Sequence, residues 1–320
     1  MTTFLLIIGL VLILLGANFL VDGASSIAKK FGLSEFIIGL TIVGIGTSAP
    51  EMVVSFMASI QGKADMAVGN IVGSNIVNAM VILGITALIA PLQITKENVK
   101  RDIPLNIGVT ALLLLLGMKH TLFGIGMDQL SRWDGALFLA IFGWYLWKSF
   151  ASKPSENTPD DGEGIKLYPN WLSVIFIIGG LAGLVLGGRL FVNSAVILAK
   201  DFGVSEKFIA ITIMALGTSL PELATCIVAA AKGRGQMALG NVLGSNTCNI
   251  LLILGGASLI NPLSFASITW LDSAMLMITS VFIFVTAFTF VKKQVDRWEG
   301  AILLAGECIY LWYLICHSAC

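Results

Sequence analysis

The sequence predicts an all-α integral membrane protein of ten transmembrane helices, built as two five-helix repeats of inverted topology. Three observations lead to this class. The 320-residue chain is 57% hydrophobic and only 12% charged, with a mean hydropathy of +0.92, which is far from the composition of a soluble domain. Apolar runs long enough to cross a bilayer recur along it, and its two halves resemble each other.

Ten apolar runs predict the individual membrane spans. A helix needs about 20 mainly apolar residues to cross the bilayer. The predicted spans are 3–22, 36–60, 66–90, 103–118, 133–150, 171–192, 207–231, 237–260, 272–291 and 298–316. The first run lacks a basic leading segment and a cleavage site of small residues, so we interpret it as a membrane helix and not as a signal peptide.

A polar segment divides the chain into two copies of one unit. Residues 151–170 are rich in proline, glycine and acidic side chains and are predicted to link a first repeat, 1–150, to a second, 171–320. A shift of 171 residues aligns 21–92 with 192–263 without a gap, and about 33 of the 72 pairs are identical. Because each unit has an odd number of spans, the copies enter the membrane in opposite senses.

The distribution of positive charge predicts the orientation of the chain. Lys and Arg are enriched in the cytoplasmic loops of membrane proteins. With the N-terminus outside, thirteen of the 19 Lys and Arg residues fall on the cytoplasmic side and six on the outer side. We therefore predict a multi-pass protein of the cell membrane, inner or plasma, with both termini outside and the linker in the cytoplasm.

A polar motif interrupts an apolar span once in each half. The sequence GTSAPE at 46–51 recurs as GTSLPE at 217–222. Proline removes a helical N–H donor and opposes the carbonyl one turn earlier, so Pro50 and Pro221 predict broken second and seventh helices with exposed carbonyls. Helical spacing would place the preceding hydroxyls on the same face as the glutamate. These residues are Thr47, Ser48 and Glu51, and Thr218, Ser219 and Glu222.

A second motif, GNxxGSNxxN, follows in the next span of each half. It sets Ser74 four residues before Asn78, and Ser245 four residues before Asn249, so each pair shares a helix face. We predict that the third and eighth helices are broken here as well, around a mid-membrane ion site. Carboxylate, hydroxyl, amide and carbonyl oxygens are hard ligands that suit Na⁺ and Ca²⁺ better than soft transition metals.

Each of these residues also has a purely structural interpretation. Ser and Thr in membrane helices often bond the carbonyl four residues earlier, and small residues allow close helix packing. The duplicated pair of glutamate and proline is the feature that favours an ion site, because a carboxylate at mid-membrane is costly. Glu307 has no counterpart in the first repeat, where Phe142 aligns with it, and is interpreted as a structural hydrogen-bonding residue or one near the outer interface, and not as an ion ligand.

These motifs resemble those of the cation/calcium antiporter superfamily, and within it the prokaryotic Na⁺/Ca²⁺ exchangers. The resemblance covers nearly the whole chain and includes two alpha-repeat motifs, at 41–90 and 212–261. It implies a secondary active antiporter that exports Ca²⁺ in exchange for Na⁺ by alternating access. It also implies that the first span of each half slides across the rest, for which the glycines between 179 and 188 suggest a smooth face.

The resemblance further implies a site in which both glutamates bridge the ions, hydroxyls and central amides complete the shell, and carbonyls at 44 and 215 bind sodium. The implied ligands are Glu51, Glu222, Thr47, Thr218, Ser48, Ser219, Ser74, Ser245, Asn78, Asn249, Gly44 and Ala215. The transported Na⁺ and Ca²⁺ are substrates, and no resident cofactor is expected.

Comparison within the superfamily bears on the coupling ion. Proton/calcium exchangers tend to have Asn where this chain has Ser48, and potassium-dependent exchangers have Asp where it has Asn249. Both differences favour Na⁺ coupling. The alternatives are an H⁺/Ca²⁺ exchanger, a K⁺-dependent exchanger and a cation channel built on the same ligands.

Other classes of function are disfavoured. The 19 basic and 19 acidic residues balance, which gives no basic excess for nucleic acid. The only two histidines lie outside the motifs, so we predict no enzyme of the intramembrane hydrolase type. The five cysteines form no CxxC pair. Membrane lipid is the expected surrounding, and no obligatory protein partner is predicted.

Overall fold

The computed structural model describes residues 2–151, 165–202, 215–289 and 293–317. In the first half the helices are α1 (Thr2–Phe31), α2 (Glu35–Ile38), α3 (Gly44–Thr47), α4 (Ala49–Ile60), α5 (Ala64–Val77), α6 (Leu83–Ile89), α7 (Ile103–Gly117), α8 (Lys119–Phe123) and α9 (Arg132–Ala151). In the second half they are α10 (Asn170–Asp201), α11 (Ala215–Gly217), α12 (Leu220–Ala231), α13 (Gly235–Cys248), α14 (Gly255–Ile260), α15 (Trp270–Thr286) and α16 (Arg297–His317).

Short π-helical turns connect or precede several of these helices. They are π1 (Gly39–Val43), π2 (Asn78–Ile82), π3 (Asn98–Asp102) and π4 (Asn249–Leu254). The strands are two residues long each: β1 (Leu92–Gln93), β2 (Gln129–Leu130), β3 (Leu263–Ser264) and β4 (Gln294–Val295). The described chain is therefore helical almost throughout, as expected for a membrane protein of this composition.

Some of these helices can cross a membrane by themselves. By length and hydropathy the described residues contain four: Thr2–Phe31, Ala64–Ile89, Asn170–Asp201 and Gly235–Ile260. A fifth results if the bent pair Glu35–Thr47 and Ala49–Ile60 is one span. The ten crossings and their inverted arrangement stay predictions. Parts of the linker, 152–164, and of the predicted seventh and ninth spans, 207–214 and 290–291, lie outside the described residues.

The second helix is broken where its proline predicts. The axes of Glu35–Thr47 and Ala49–Ile60 meet at 48°, and Ser48 between them has non-helical angles, φ −77° and ψ 7°. Pro50 lies in the first turn of α4, where its missing N–H leaves no intrahelical bond unmade. Ser219 has nearly the same angles, φ −89° and ψ 6°, and precedes α12 in the same way.

The predicted breaks in the third and eighth helices are wrong. Residues Ala64–Ile89 and Gly235–Ile260 each form one continuous helix. Neither polar motif contains a proline, so no N–H donor is missing. The helices instead widen into π2 and π4, which begin at Asn78 and Asn249. Single π turns within α-helices often lie at functional sites.

The first helix of each half is longer than its predicted span and packs on its equivalent. Helix α1 has 30 residues and α10 has 32. Glycines bring the two backbones together: a Cβ atom at Gly16 would lie 2.7 Å from the carbonyl oxygen of Gly180, and one at Gly187 would lie 2.8 Å from that of Gly9. The prediction of a smooth sliding face is therefore wrong for Gly180 and Gly187, because these two glycines hold α10 against α1.

Two small ribbons connect loops of opposite halves. Strand β1 pairs antiparallel with β4, and β2 pairs antiparallel with β3. Each ribbon buries one leucine from the first half, Leu92 or Leu130, and one apolar residue from the second, Val295 or Leu263. The loops of the two halves are thereby fixed to each other in two places.

Glycines of the second motif allow α13 to touch the second helix. A Cβ atom at Gly240 would lie 2.3 Å from the carbonyl oxygen of Phe36, and one at Gly244 would lie 2.3 Å from that of Leu40. Glycine is the residue that permits such a backbone approach. The structural interpretation is thus right for these glycines, and their packing brings Ser245 beside the break in the other half.

We expect Gly180→Val to destabilise the protein. The added Cβ meets the Gly16 carbonyl oxygen at 2.7 Å, and this backbone atom cannot rotate away, so overpacking of about 1–3 kcal/mol is expected. Thermal unfolding in detergent measures the effect. Gly179→Val is the matched control, because a Cβ there has open space on the same helix. Equal melting temperatures for the two variants would contradict the backbone contact.

Candidate ion-binding site

The two glutamates occupy equivalent positions directly after the helix breaks. Glu51 lies in the first turn of α4 and Glu222 in the first turn of α12, and each is only 1% exposed. The unpaired N–H groups and the dipole at a helix N-terminus favour negative charge there. The break therefore both places the carboxyl group and supports it electrostatically.

Serines exchange hydrogen bonds between the two halves. Ser48 Oγ donates to Glu222 Oε1 at 3.0 Å, and Ser219 Oγ donates to Glu51 Oε1 at 3.2 Å. Ser74 Oγ donates to the same Glu51 oxygen at 3.5 Å. Each glutamate is thus held by the opposite repeat, which brings the two GTSxPE motifs together at one place.

The remaining hydroxyls contact the breaks. Thr47 Oγ1 donates to Asn241 Oδ1 at 3.2 Å and approaches the Gly44 carbonyl at 3.5 Å. That carbonyl also accepts from Ser245 Oγ at 3.3 Å. Ser245 therefore differs from its equivalent Ser74, because it contacts a backbone carbonyl of the other half and not a carboxylate.

Threonine side chains of each break also interact with the carboxylate of the opposite half. Thr218 contacts Glu51, and Thr47 contacts Glu222. Thr218 itself is half-buried. Ala215 begins α11 beside this break, and its side chain lies outside the described residues. The structure thus brings eleven predicted ligands to the two breaks and the two π turns and leaves Ala215 described only as backbone.

Four asparagines form a reciprocal network at the π turns. Asn78 Nδ2 donates to Asn246 Oδ1 at 3.1 Å, and Asn249 Nδ2 donates to Asn75 Oδ1 at 2.9 Å. Asn75 Nδ2 donates to the backbone carbonyl of Asn246 at 3.2 Å, and Asn246 Nδ2 donates to that of Asn75 at 3.3 Å. All four side chains are buried.

The sequence interpretation missed Asn75 and Asn246. It selected Ser and Asn four residues apart and passed over the asparagine between them. The signal was present, because this asparagine is duplicated at the same offset as the others. Asn241, which accepts from Thr47 and lies four residues before Ser245, was passed over as well.

Four buried oxygens at this site have no hydrogen-bond partner within the described part of the chain. They are Glu51 Oε2, Glu222 Oε2, Asn78 Oδ1 and Asn249 Oδ1. Buried polar atoms in proteins nearly always have a partner, and a buried carboxylate oxygen without one is especially unfavourable. Two carboxylate and two amide oxygens left open in this way are a donor set for a hard cation.

A cavity of about 220 Å³ reaches the two breaks. It is lined by Pro50, Thr218 and Pro221 from the motifs, and by Gly188 and Arg189 from α10. The long helix α10 therefore forms one wall of a cavity beside the two breaks.

No hydrogen bond within the described part of the chain joins Glu307 to the residues of this site. Glu307 is 4% exposed within α16, and its Oε2 has no hydrogen bond to any described residue. The structural hydrogen bond expected for it therefore stays a prediction.

Comparison with known proteins identifies the family. A family model described as "Sodium/calcium exchanger protein" matches residues 1–151 and 172–316. The chain belongs to the sodium/calcium exchanger family. As a family member it is a multi-pass membrane protein, and the relatives named below are named as exchangers or as a membrane protein.

Relatives match this exchanger-family chain over nearly its whole length. Sodium/calcium exchanger MaX1 of Methanosarcina acetivorans is 34% identical over 331 residues, which cover 94% of each chain. Inner membrane protein YrbG of Escherichia coli K12 is 36% identical, covering 97% of this chain and 96% of its own. A structure of the sodium-calcium exchanger NCX_Mj, soaked with Na⁺ and Sr²⁺, has a TM-score of 0.82 at 31% identity and covers 98% of this chain and 97% of its own.

The serine bridges should support cation affinity about equally in both halves. Ser48→Ala or Ser219→Ala removes one hydrogen bond to a carboxylate, and a loss of about 0.5–1.5 kcal/mol corresponds to roughly 2- to 10-fold weaker Ca²⁺ binding. Equilibrium binding of ⁴⁵Ca²⁺ in detergent measures it. Ser59→Ala is the matched control, because Ser59 is equally buried on α4 but donates to the Ala257 carbonyl, at 2.7 Å. An equal loss of Ca²⁺ affinity in the Ser59→Ala control would contradict this interpretation.

Proposed function

We propose that this protein is a secondary active antiporter that exports Ca²⁺ in exchange for Na⁺ by alternating access around one site between its repeats. The observation that carries the proposal is the set of four buried, unpartnered oxygens on Glu51, Glu222, Asn78 and Asn249. The relatives named as sodium/calcium exchangers support the same pair of ions.

The charge of the site supports exchange. If both carboxyl groups are ionised, Glu51 and Glu222 together supply two negative charges, which balance one Ca²⁺ or two Na⁺. Two like charges buried close together disfavour the vacant site, so a bound cation stabilises it. Ca²⁺ and Na⁺ then compete for the same oxygens, and this competition couples the movement of one to the other.

The ribbons support ten crossings in an inverted arrangement. In the predicted topology the loops that hold β1 and β4 follow the third and ninth spans, and those that hold β2 and β3 follow the fourth and eighth. Loops that follow odd-numbered spans all lie on the same side of the membrane, and loops that follow even-numbered spans all lie on the other side. Each ribbon therefore joins two loops on the same side, which is compatible with this topology. The excess of Lys and Arg supports an orientation with the β1–β4 side in the cytoplasm and both termini outside.

The packing of the long helices supports alternating access. Helices α1 and α10 contact each other through backbone at Gly16 and Gly180, and this contact would let them move as one body. The cavity beside Thr218 is lined by α10. At another place, Lys232 Nζ, directly after α12, donates to Asp22 Oδ1 of α1 at 2.6 Å. Movement of the pair past the rest would close this cavity and expose the site from the other side.

Replacing either glutamate by glutamine should abolish Ca²⁺ transport. Glu51→Gln and Glu222→Gln keep the shape of the side chain but remove half of the charge that balances Ca²⁺. The measurement is ⁴⁵Ca²⁺ uptake into proteoliposomes with Na⁺, K⁺ and H⁺ gradients imposed separately, and we expect the Na⁺ gradient alone to suffice. Glu307→Gln, a buried carboxyl group outside the site, should transport normally.

Substantial flux in either glutamine variant would contradict the proposed site. Uptake driven by a pH gradient without Na⁺ would identify an H⁺/Ca²⁺ exchanger, and a strict need for K⁺ would identify a K⁺-dependent one. Single-channel currents in a planar bilayer would identify a channel.

A further inference from the structure

We propose that Asn75 and Asn246 are positioning residues, which fix the side-chain amides of Asn78 and Asn249 so that both carbonyl oxygens point towards the cation. The inference rests on the proposed function, because it assigns these two asparagines a role in binding the same ion. It stands on the four reciprocal hydrogen bonds and on the two amide oxygens that have no described partner.

The orientation of the first amide follows from one backbone carbonyl. The carbonyl oxygen of Asn75 can only accept, so the group that contacts it at 3.3 Å must be the Nδ2 of Asn246. Asn246 therefore turns its Oδ1 towards Asn78, and at 3.1 Å that oxygen requires a donor. Asn78 must present its own Nδ2 here, which leaves its Oδ1 on the other side.

The same sequence of bonds runs in the opposite direction. The backbone carbonyl of Asn246 accepts from Asn75 Nδ2 at 3.2 Å, which turns Asn75 Oδ1 towards Asn249. Asn249 Nδ2 fills that position at 2.9 Å. Its Oδ1 is consequently left without a described partner, as is that of Asn78. Neither amide can flip without breaking a buried hydrogen bond.

The direction of these amides matters for a cation site. An amide that turned its NH₂ group inwards would present two donors to a positive ion, whereas the fixed direction presents an acceptor. Asparagine at both central positions adds ligand oxygen without adding charge, so Glu51 and Glu222 alone set the charge of the site. The network also crosses between the repeats, so each half orients an amide of the other half.

Each pairing is specific, so its effect on Ca²⁺ affinity can be distinguished from an effect of general packing. Among the described side chains, Asn75 Oδ1 accepts only from Asn249, and Asn246 Oδ1 accepts only from Asn78. Asn75→Ala should therefore act through Asn249, and Asn246→Ala through Asn78. A purely structural role predicts no such crossed pattern.

Double-mutant cycles on Ca²⁺ affinity test the proposal. We expect Asn75→Ala and Asn246→Ala each to weaken ⁴⁵Ca²⁺ binding about 5- to 30-fold, because the buried Oδ1 acceptor that holds the ligand's amide is lost. In an Asn249→Ala background Asn75→Ala should change affinity by less than about 2-fold, whereas in an Asn78→Ala background it should keep its full effect. Asn246→Ala should show the reverse pattern.

Asn106→Ala is the matched control. Asn106 is 1% exposed and donates to Thr247 Oγ1 at 3.3 Å, so the change removes a similar buried hydrogen bond next to the network. It should leave Ca²⁺ affinity unchanged. Thermal unfolding is recorded for every variant, and Asn75→Ser and Asn246→Ser, which leave a shorter polar group, replace alanine variants that do not fold.

Several outcomes would overturn the inference. Effects that add in both backgrounds, coupling to the wrong partner, or affinities within about 2-fold of the native protein would each do so. Loss of folding in both the alanine and the serine variants, with Asn106→Ala folded, would assign the pair a structural role. If Glu51→Gln still binds Ca²⁺, the proposed site fails; if it does not and the crossed pattern is absent, only this inference fails.

Discussion

Two carboxyl groups buried side by side in an apolar protein are the constraint on which the rest of the structure depends. Glu51 and Glu222 are almost fully enclosed, and one oxygen of each has no described partner. Isolated carboxylates in such surroundings are strongly unfavourable. The helix breaks that place them at N-termini, the serines that cross between the halves and the open amide oxygens all become understandable if a cation completes the site.

Two sets of contacts surround the site: one joins the two halves of the chain, and the other joins α1 to α10. Glycines at 240 and 244 bring α13 into backbone contact with the second helix, and the ribbons fix loops of one half to loops of the other. These contacts hold the motifs in register. The long pair α1 and α10 is joined mainly within itself, at Gly16 and Gly180, and borders the cavity that leads to the breaks. A group of ligand-bearing helices with a long helix pair packed beside it is compatible with the alternating access proposed above.

Much of this arrangement could be predicted from the sequence because duplication and proline are strong signals. The breaks at Ser48 and Ser219 and the meeting of Glu51 with Glu222 follow from residues that have no good alternative role in an apolar helix. The continuous third and eighth helices could not be predicted in the same way, since a π turn at Asn78 or Asn249 needs no special residue. The roles of Asn75 and Asn246 depend on contacts between the halves, which a pattern within one helix does not contain.

Anomalous diffraction from crystals soaked in Sr²⁺ tests the central claim most directly. Sr²⁺ has the charge and the hard-oxygen preference of Ca²⁺ and gives a signal that identifies its position. The account predicts one anomalous peak between the halves, bound by carboxylate oxygens of both Glu51 and Glu222. A peak bound to only one of these glutamates, or a principal peak elsewhere in the protein, would contradict it.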